Sequence, residues 1–195
     1  MSNKIKRCTW PGEDSLMIKY HDTEWGVPLH DDKKLFEFLI LDAFQAGLSW
    51  RTILHKRKNF AKAFNNFDYK KIAKYNQKKL NSLMKDSGII RNKLKIASAK
   101  INAQKFMEVQ KEFGSFNKYI WQFVKGKPIQ NKIKSIKNIP AKTKDAEAMS
   151  KNLKKRGFKF VGPTICYAFM QAAGMVNDHT VDCFRCKSCK KPINR

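Results

Sequence analysis

The 195-residue sequence has few acidic residues for its number of basic ones. Only 16 Asp and Glu stand against 41 Lys and Arg, which gives a formal net charge of +25. Such a chain repels itself and favours an anionic partner, with nucleic acid as the leading candidate. However, 34 of the 41 basic residues are Lys, spread over nearly every segment, which fits the codon usage of a low-GC genome equally well. The charge therefore permits DNA binding without establishing it.

Long apolar runs are also missing. No stretch approaches the roughly 18–20 apolar residues that cross a membrane, and the N-terminal MSNKIKRCTW lacks the apolar segment of a secretory signal. These absences predict no membrane association and a cytoplasmic location. In that compartment the five cysteines are expected to be thiols or metal ligands rather than disulfides.

Alternation of apolar and polar residues at period two is absent, and so are internal repeats. Most of the chain instead follows the helical period, which predicts an all-α protein. One helix is expected to begin at Asp31 or Asp32 and to end at Gly47, another to begin at Ser49, and a long one to end at Gly114. We predict a single domain over residues 1–185 and a mobile basic tail over residues 186–195.

The segment KKRGFKFVGPTICYAFMQAAG predicts two helices joined by a tight turn. The first helix is expected to stop at Gly157, and Pro163 suits the first position of the second. Gly162 lets a ligand approach the backbone, and the free N–H groups of the new helix favour an anion such as a DNA phosphate. An ordinary corner between two helices uses the same residues. The basic neighbourhood favours the phosphate interpretation.

Asp42 lies in the segment LFEFLILDAFQAG, which is apolar nearly all round and is therefore expected to be buried. A buried carboxyl group must be paired, be hydrogen-bonded or have a raised pKa. The conservative interpretation is a structural Asp satisfied by a backbone N–H or a basic side chain. The nearby Trp50 favours a pocket that contains an acid and an aromatic face.

Two sets of residues are candidates for a zinc site. Cys8 and His21 near the start of the chain, with His179 and Cys183 near its end, would make a closed Cys2His2 site that ties the termini together. If the segment NDHTVDC is helical, its His and Cys share one face. The rival set is the run Cys183, Cys186 and Cys189. Cys166 sits in an apolar helix and is expected to be a core thiol.

From Cys8 to Cys183 the chain resembles the bacterial 3-methyladenine-DNA glycosylase I family. The resemblance is carried, in this order, by YHDTEWGVP, QAGLSW, LKKRGFKFVGPTICYAFMQAAG and VNDH. It implies a helix-hairpin-helix DNA glycosylase fold and hydrolysis of the N-glycosidic bond of 3-methyladenine in double-stranded DNA. It also implies one structural zinc ion on Cys8, His21, His179 and Cys183, and a monomer that needs no protein partner.

The resemblance also assigns roles to individual residues. Asp42 is expected to contact the extruded base, although the family usually has Glu there, and Met17 stands where a pocket aromatic is often found. The remaining pocket residues are Trp10, Tyr20 and Trp50. A catalytically weakened protein that binds damaged or abasic DNA is the alternative, because both departures fall in this pocket.

DNA contacts are expected in two places. Gly162 and Thr164, helped by Lys159, are expected to hold a phosphate, and Gly47 with Leu48 to wedge into the gap left by the extruded nucleotide, although Leu48 at a helix-breaking turn could instead be a core residue. The second hairpin helix has no Lys in its first turn, and Asn177 stands where many hairpin glycosylases have a catalytic Asp. The sequence therefore predicts a monofunctional enzyme that leaves an abasic site and does not cut the strand.

Overall fold

A computed structural model describes residues 5–189 of the chain. The described part is mostly helical, and none of its helices has both the length and the apolar character needed to cross a membrane. In chain order the helices are α1 (Ser15–Thr23), α2 (Asp32–Gln45), α3 (Trp50–Ala63), α4 (Tyr69–Ile72), α5 (Gln77–Lys85), α6 (Lys93–Phe113), α7 (Phe116–Trp121), α8 (Lys144–Lys155), α9 (Pro163–Ala172) and α10 (Arg185–Ser188). Short 3-10 turns lie at Asn65–Phe67, Gln122–Val124 and Ile136–Asn138.

The helix boundaries follow the capping residues in the sequence. Asp31 caps α2 by accepting a hydrogen bond from the Lys34 N–H, and Ser49 caps α3 in the same way. Gly114 ends α6 in the left-handed conformation, with φ of 81°. Pro163 occupies the first turn of α9. These predicted ends are confirmed.

Helix α2 runs through the centre of the molecule. Ten of its residues are buried, and it packs against α3, α6, α7 and α9. Phe36 stacks edge-on against Phe106 of α6, and Phe44 against Phe60 of α3. The prediction that Asp42 lies in a buried helix is therefore confirmed.

A small parallel strand pair was missed by the sequence analysis. Strand β1 (Ile129–Gln130) pairs with β2 (Val176–Asn177), and a bridge between Ile133 and Thr180 continues the pairing. Two-residue strands are too short to show alternation at period two. The pair ties the polar connector between α7 and α8 to the C-terminal segment.

Two further expectations about the C-terminal segment need correction. The stretch from His179 to Cys183 is a turn rather than a helix, closed by a 2.8 Å hydrogen bond from the Cys183 N–H to the Thr180 carbonyl. Residues 186–189 do not form a tail, because they continue α10 and end at Cys189, which is buried. The rest of the predicted tail, residues 190–195, lies outside the described residues.

Gly174 joins α9 to β2 at a point where two backbone segments touch. Hydrogen bonds from the Gly26 N–H to the Gln171 carbonyl, 2.9 Å, and from the Leu29 N–H to the Ala173 carbonyl, 3.0 Å, hold the N-terminal loop on the end of α9. Gly174 has φ of 65°, and a Cβ atom there would overlap the Val27 carbonyl group. Only Gly fits this crossing.

We expect Gly174→Ala to destabilise the protein far more than Gly126→Ala. Gly126 has φ of 72° and open space around it, so an alanine there costs only the left-handed strain of about 1–2 kcal/mol. Alanine at Gly174 must also displace the backbone at Val27. Urea denaturation of both variants measures the difference, and equal losses of unfolding free energy would contradict the close approach.

Candidate functional site

A cavity of about 370 Å³ opens beside the middle of α2, and its size is typical of small-molecule sites. Its walls come from the N-terminal segment, α1, α2, α3, the connector and α9. The lining residues are Trp10, Tyr20, Trp25, Asp42, Gln45, Trp50, Ile136, Ile139, Ala168 and Gln171. The structure thus brings together four of the five residues predicted for the pocket.

The fifth predicted residue, Met17, is buried in α1 one turn before Tyr20 and is not among the residues that line the cavity. The aromatic side chains of the wall pack on one another, with the rings of Tyr20 and Trp50 centred 5.1 Å apart and those of Trp10 and Trp25 5.0 Å apart. The cavity therefore offers flat apolar faces to a planar ligand.

Six lining residues were not predicted. Trp25 lies in the motif YHDTEWGVP, Gln45 lies one turn after Asp42, and α9 contributes Ala168 and Gln171. Helical spacing from known pocket residues could have indicated Gln45. The two connector residues, Ile136 and Ile139, carry no such signal, because only the strand pairing brings the connector here.

Three buried polar atoms in this cavity lack a hydrogen-bond partner among the described residues. They are Oδ2 of Asp42 and the indole nitrogens Nε1 of Trp10 and Trp50. Leaving such atoms unpaired costs about 1–3 kcal/mol each. Within residues 5–189, Oδ2 of Asp42 lacks the backbone N–H or basic side chain that a purely structural role would require. One acceptor and two donors without partners in the described part of the chain, all on residues that line one aromatic cavity, indicate a ligand that completes their bonds.

The Asp42 carboxyl group is only 1% exposed. Burial raises its pKa well above the usual value, because the ionised form loses its hydration. A cationic or donor-rich ligand would reverse this effect by restoring a partner to the charge. The cavity is thus suited to a planar, electron-poor ring.

A second site lies where the two ends of the chain meet. The ligand atoms of Cys8, His21, His179 and Cys183 all lie within 4.8 Å of one another, and all four residues are buried. The sulfur of Cys183 is 3.5 Å from both His21 Nε2 and His179 Nδ1, and the sulfur of Cys8 is 3.6 Å from His179 Nδ1. Tetrahedral zinc with ordinary bond lengths separates sulfur and nitrogen ligands by about 3.5 Å. These residues fit zinc.

The outer contacts of both histidines suit metal binding. Nδ1 of His21 lies 2.7 Å from the Asp22 carboxylate, and Nε2 of His179 lies 3.0 Å from the Trp25 carbonyl oxygen. Each contact takes the N–H of the ring and leaves the other nitrogen as a lone pair for a metal. Bonds from Cys8 and the two imidazoles lower the pKa of Cys183, which favours a thiolate there. Among the described residues, Cys183, Cys186 and Cys189 do not form a group that could hold a metal ion.

The predicted wedge lies at the turn between α2 and α3. Gly47 has φ of 75°, and Leu48 is 40% exposed. Lys95 fixes the turn, since its ammonium group donates to the carbonyls of Phe44, 2.9 Å away, and Ala46, 2.5 Å away. Leu48 is therefore presented to solvent by a supported turn and is not a core residue.

The predicted phosphate site lies at the start of α9. Gly162 is the N-cap residue of α9, no side chain caps this helix, and a Cβ atom at Gly162 would meet nothing within 4 Å. Asn102 bonds both the N–H and the carbonyl of Lys159, at 2.8 and 3.0 Å, and so fixes the turn. Lys159, Gly162 and Thr164 therefore lie close in sequence at the turn between α8 and α9, where Lys159 and Thr164 are exposed.

Replacing Asp42 by Asn should stabilise the protein at neutral and higher pH. The raised pKa means that the folded state holds a proton that the unfolded state releases, so wild-type stability falls as the pH rises above the ordinary carboxyl pKa of about 4. Asn carries no charge to bury. We expect thermal denaturation to show a larger gain for Asp42→Asn at pH 8 than at pH 5.5. A gain that does not depend on pH would contradict the raised pKa.

Comparison with known proteins gives consistent matches over nearly the whole chain. The family described as methyladenine glycosylase matches residues 10–186. DNA-3-methyladenine glycosylase of Haemophilus influenzae is 48% identical over 177 residues, which cover 91% of this chain and 96% of the relative. DNA-3-methyladenine glycosylase 1 of Escherichia coli is 46% identical over 179 residues, covering 92% and 96%.

Solved structures of 3-methyladenine DNA glycosylase I also match. One, 46% identical, superposes with a TM-score of 0.90 and covers 92% of this chain and 98% of its own. A variant determined in complex with 3-methyladenine is 34% identical, with a TM-score of 0.90 and coverage of 96% and 99%. The Staphylococcus aureus protein, described in a study of 3-methyladenine recognition, is 34% identical, with a TM-score of 0.89 and coverage of 96% and 98%.

Proposed function

The chain belongs to the methyladenine glycosylase family, and we propose that it hydrolyses the N-glycosidic bond of 3-methyladenine in alkylated double-stranded DNA. The observation that best supports this function is the cavity beside α2. It combines aromatic faces with a buried, unpartnered acid at Asp42 and two unpartnered indole N–H groups. A flat purine with hydrogen-bonding edges supplies what these groups lack.

The substrate needs little chemical activation. Methylation at N3 makes the adenine ring cationic in the nucleoside, so the glycosidic bond is already weak. The protein has to extrude the base, hold it and favour its departure as a neutral product. Asp42 accepts hydrogen bonds from the base edge, and its charge stabilises positive charge that develops on the sugar. Trp10, Tyr20 and Trp50 form the aromatic walls.

The start of the second hairpin helix offers no lysine for strand cleavage. Helix α9 begins with Pro163, Thr164 and Ile165, so no lysine stands in its first turn. Asn177 is engaged elsewhere, because its Nδ2 donates to Gln130 Oε1 and to the Cys186 carbonyl, both at 2.8 Å, and its Oδ1 accepts from the His179 N–H. We therefore infer a monofunctional glycosylase that leaves an abasic site.

We propose that DNA contacts both turns, the one before α9 and the one between α2 and α3. Helices α8 and α9 with their turn form a helix-hairpin-helix, whose free N–H groups at Gly162 and Thr164 hold a phosphate, with Lys159 beside them. The exposed Leu48, next to Gly47, enters the space left by the extruded nucleotide. The protein is expected to act as a monomer.

We propose that one structural zinc ion is held by Cys8, His21, His179 and Cys183. These four protein ligands leave no open position, so the ion supplies stability and no chemistry. The purified protein should contain one zinc per chain. Cys183→Ser should lose the metal and melt at a clearly lower temperature, whereas Cys166→Ser, a buried thiol outside the cluster, should keep it. Equal zinc in both variants would contradict the assignment.

The function is tested by incubating the protein with DNA treated with a methylating agent and separating the released bases by chromatography. The wild type should release 3-methyladenine, and Asp42→Asn should release it at least about tenfold more slowly, because it loses a charge-assisted hydrogen bond. Asp42→Glu, which introduces the usual residue of the family, should retain activity.

Other outcomes lead to different conclusions. Release that is unaffected by Asp42→Asn would keep the enzyme and reduce Asp42 to a structural role. No release by the wild type, with abasic DNA still bound, would replace the proposed function by that of a damaged-DNA binding protein. Asp42 is one methylene shorter than the Glu that the family usually has, and this difference is the reason to test for the second outcome.

A further inference from the structure

Gln171 lines the cavity with an amide that is held in one orientation. Its Nε2 donates to Oδ2 of Asp178 at 2.7 Å. The same carboxylate accepts from Tyr167 through Oη at 2.6 Å and from Asn131 Nδ2 at 2.7 Å. Asp178 and Tyr167 are 1% and 2% exposed, so these two residues are shielded from water.

The chemistry of this cluster decides which end of the amide faces Asp178. Burial, together with the bond to Asp178, raises the pKa of Tyr167, so its hydroxyl remains a donor. Donors surround the Asp178 carboxylate, because Asn131 Nδ2 and Tyr167 Oη both point at it and Gln171 Nε2 lies 2.7 Å from its Oδ2. The NH2 group of Gln171 must therefore point at Asp178, which leaves its carbonyl oxygen Oε1 as the group that the side chain can offer to the cavity.

The other hydrogen-bond acceptors of the cavity are less selective, whereas the indole N–H groups of Trp10 and Trp50 can only donate. No hydrogen bond to another described residue fixes the side-chain amide of Gln45, so it can rotate to present either end. The Asp42 carboxyl group accepts when ionised and also donates when protonated. Among the acceptors that line the cavity, the Gln171 oxygen combines a fixed orientation with a single hydrogen-bonding character.

We propose that Gln171 is a specificity-determining residue, whose Oε1 accepts a hydrogen bond from the exocyclic 6-amine of the extruded base and disfavours bases with a 6-carbonyl oxygen. This inference rests on the proposed function. Adenine carries a donor at position 6, whereas guanine carries an acceptor there. With 3-methylguanine, Oε1 would face another acceptor, and both oxygens would be buried without a donor.

The experiment uses one methylated DNA substrate, from which 3-methyladenine and 3-methylguanine are measured in the same reaction. Gln171→Leu replaces the amide by an apolar group of similar size, and it removes both Oε1 and the donor to Asp178. We expect the ratio of 3-methylguanine to 3-methyladenine released to rise at least about tenfold, the effect of one buried hydrogen bond. Because both rates come from the same molecules, the ratio does not depend on how much of the variant is folded.

Tyr167→Phe is the matched control, since it removes one donor to Asp178 and leaves the bond from Gln171 in place. Its ratio should equal that of the wild type. Asp178→Asn frees the amide to turn and should raise the ratio, with zinc content measured alongside because His179 is adjacent.

The outcomes separate the two claims. An unchanged ratio in Gln171→Leu, no detectable 3-methylguanine from it, or an equal rise in Tyr167→Phe would overturn the role of Gln171. A wild type that releases no 3-methyladenine would instead overturn the proposed function.

Discussion

The cluster of four buried ligand groups at the meeting point of the chain ends supports the cavity on two sides. His179 bonds the Trp25 carbonyl oxygen, which holds the aromatic N-terminal wall. The following turn bonds the connector, through the Val181 N–H and the Ile133 carbonyl, 2.8 Å apart. The connector then brings Ile136 to the cavity. Loosening the cluster should therefore release both walls, so we expect the proposed zinc ion to affect base binding indirectly.

The cavity contains buried groups that lower the stability of the folded protein and that are suited to binding a ligand. An asparagine or an apolar residue at Asp42 would avoid the burial of an acid, and partners for Trp10 and Trp50 would remove two further unpaired groups. A folded protein keeps such groups where a ligand completes them. The same reasoning distinguishes Asp178, whose carboxylate has three donors and therefore orients a neighbour instead of contacting substrate.

The features that depend on neighbouring residues in the chain could be predicted from the sequence. Capping residues such as Asp31 and Ser49 marked helix ends, and an apolar helix placed Asp42 in the core. The residues alone left two possible sets of zinc ligands, because no local pattern links Cys8 to His179, and only the family resemblance favoured one of them. Ile136 and Gln171 were missed, since a two-residue strand pair brings in the first and a distant carboxylate orients the second.

The central claim is that the unpartnered groups beside α2 bind the excised base. The four indole N–H resonances of the chain, which has 4 Trp, can be followed by NMR while 3-methyladenine is added. Those of Trp10 and Trp50 should shift in a saturable way, whereas Trp121, which already donates to the Leu29 carbonyl at 2.9 Å, should not. No shift at Trp10 and Trp50, or an equal shift of all four, would contradict the account.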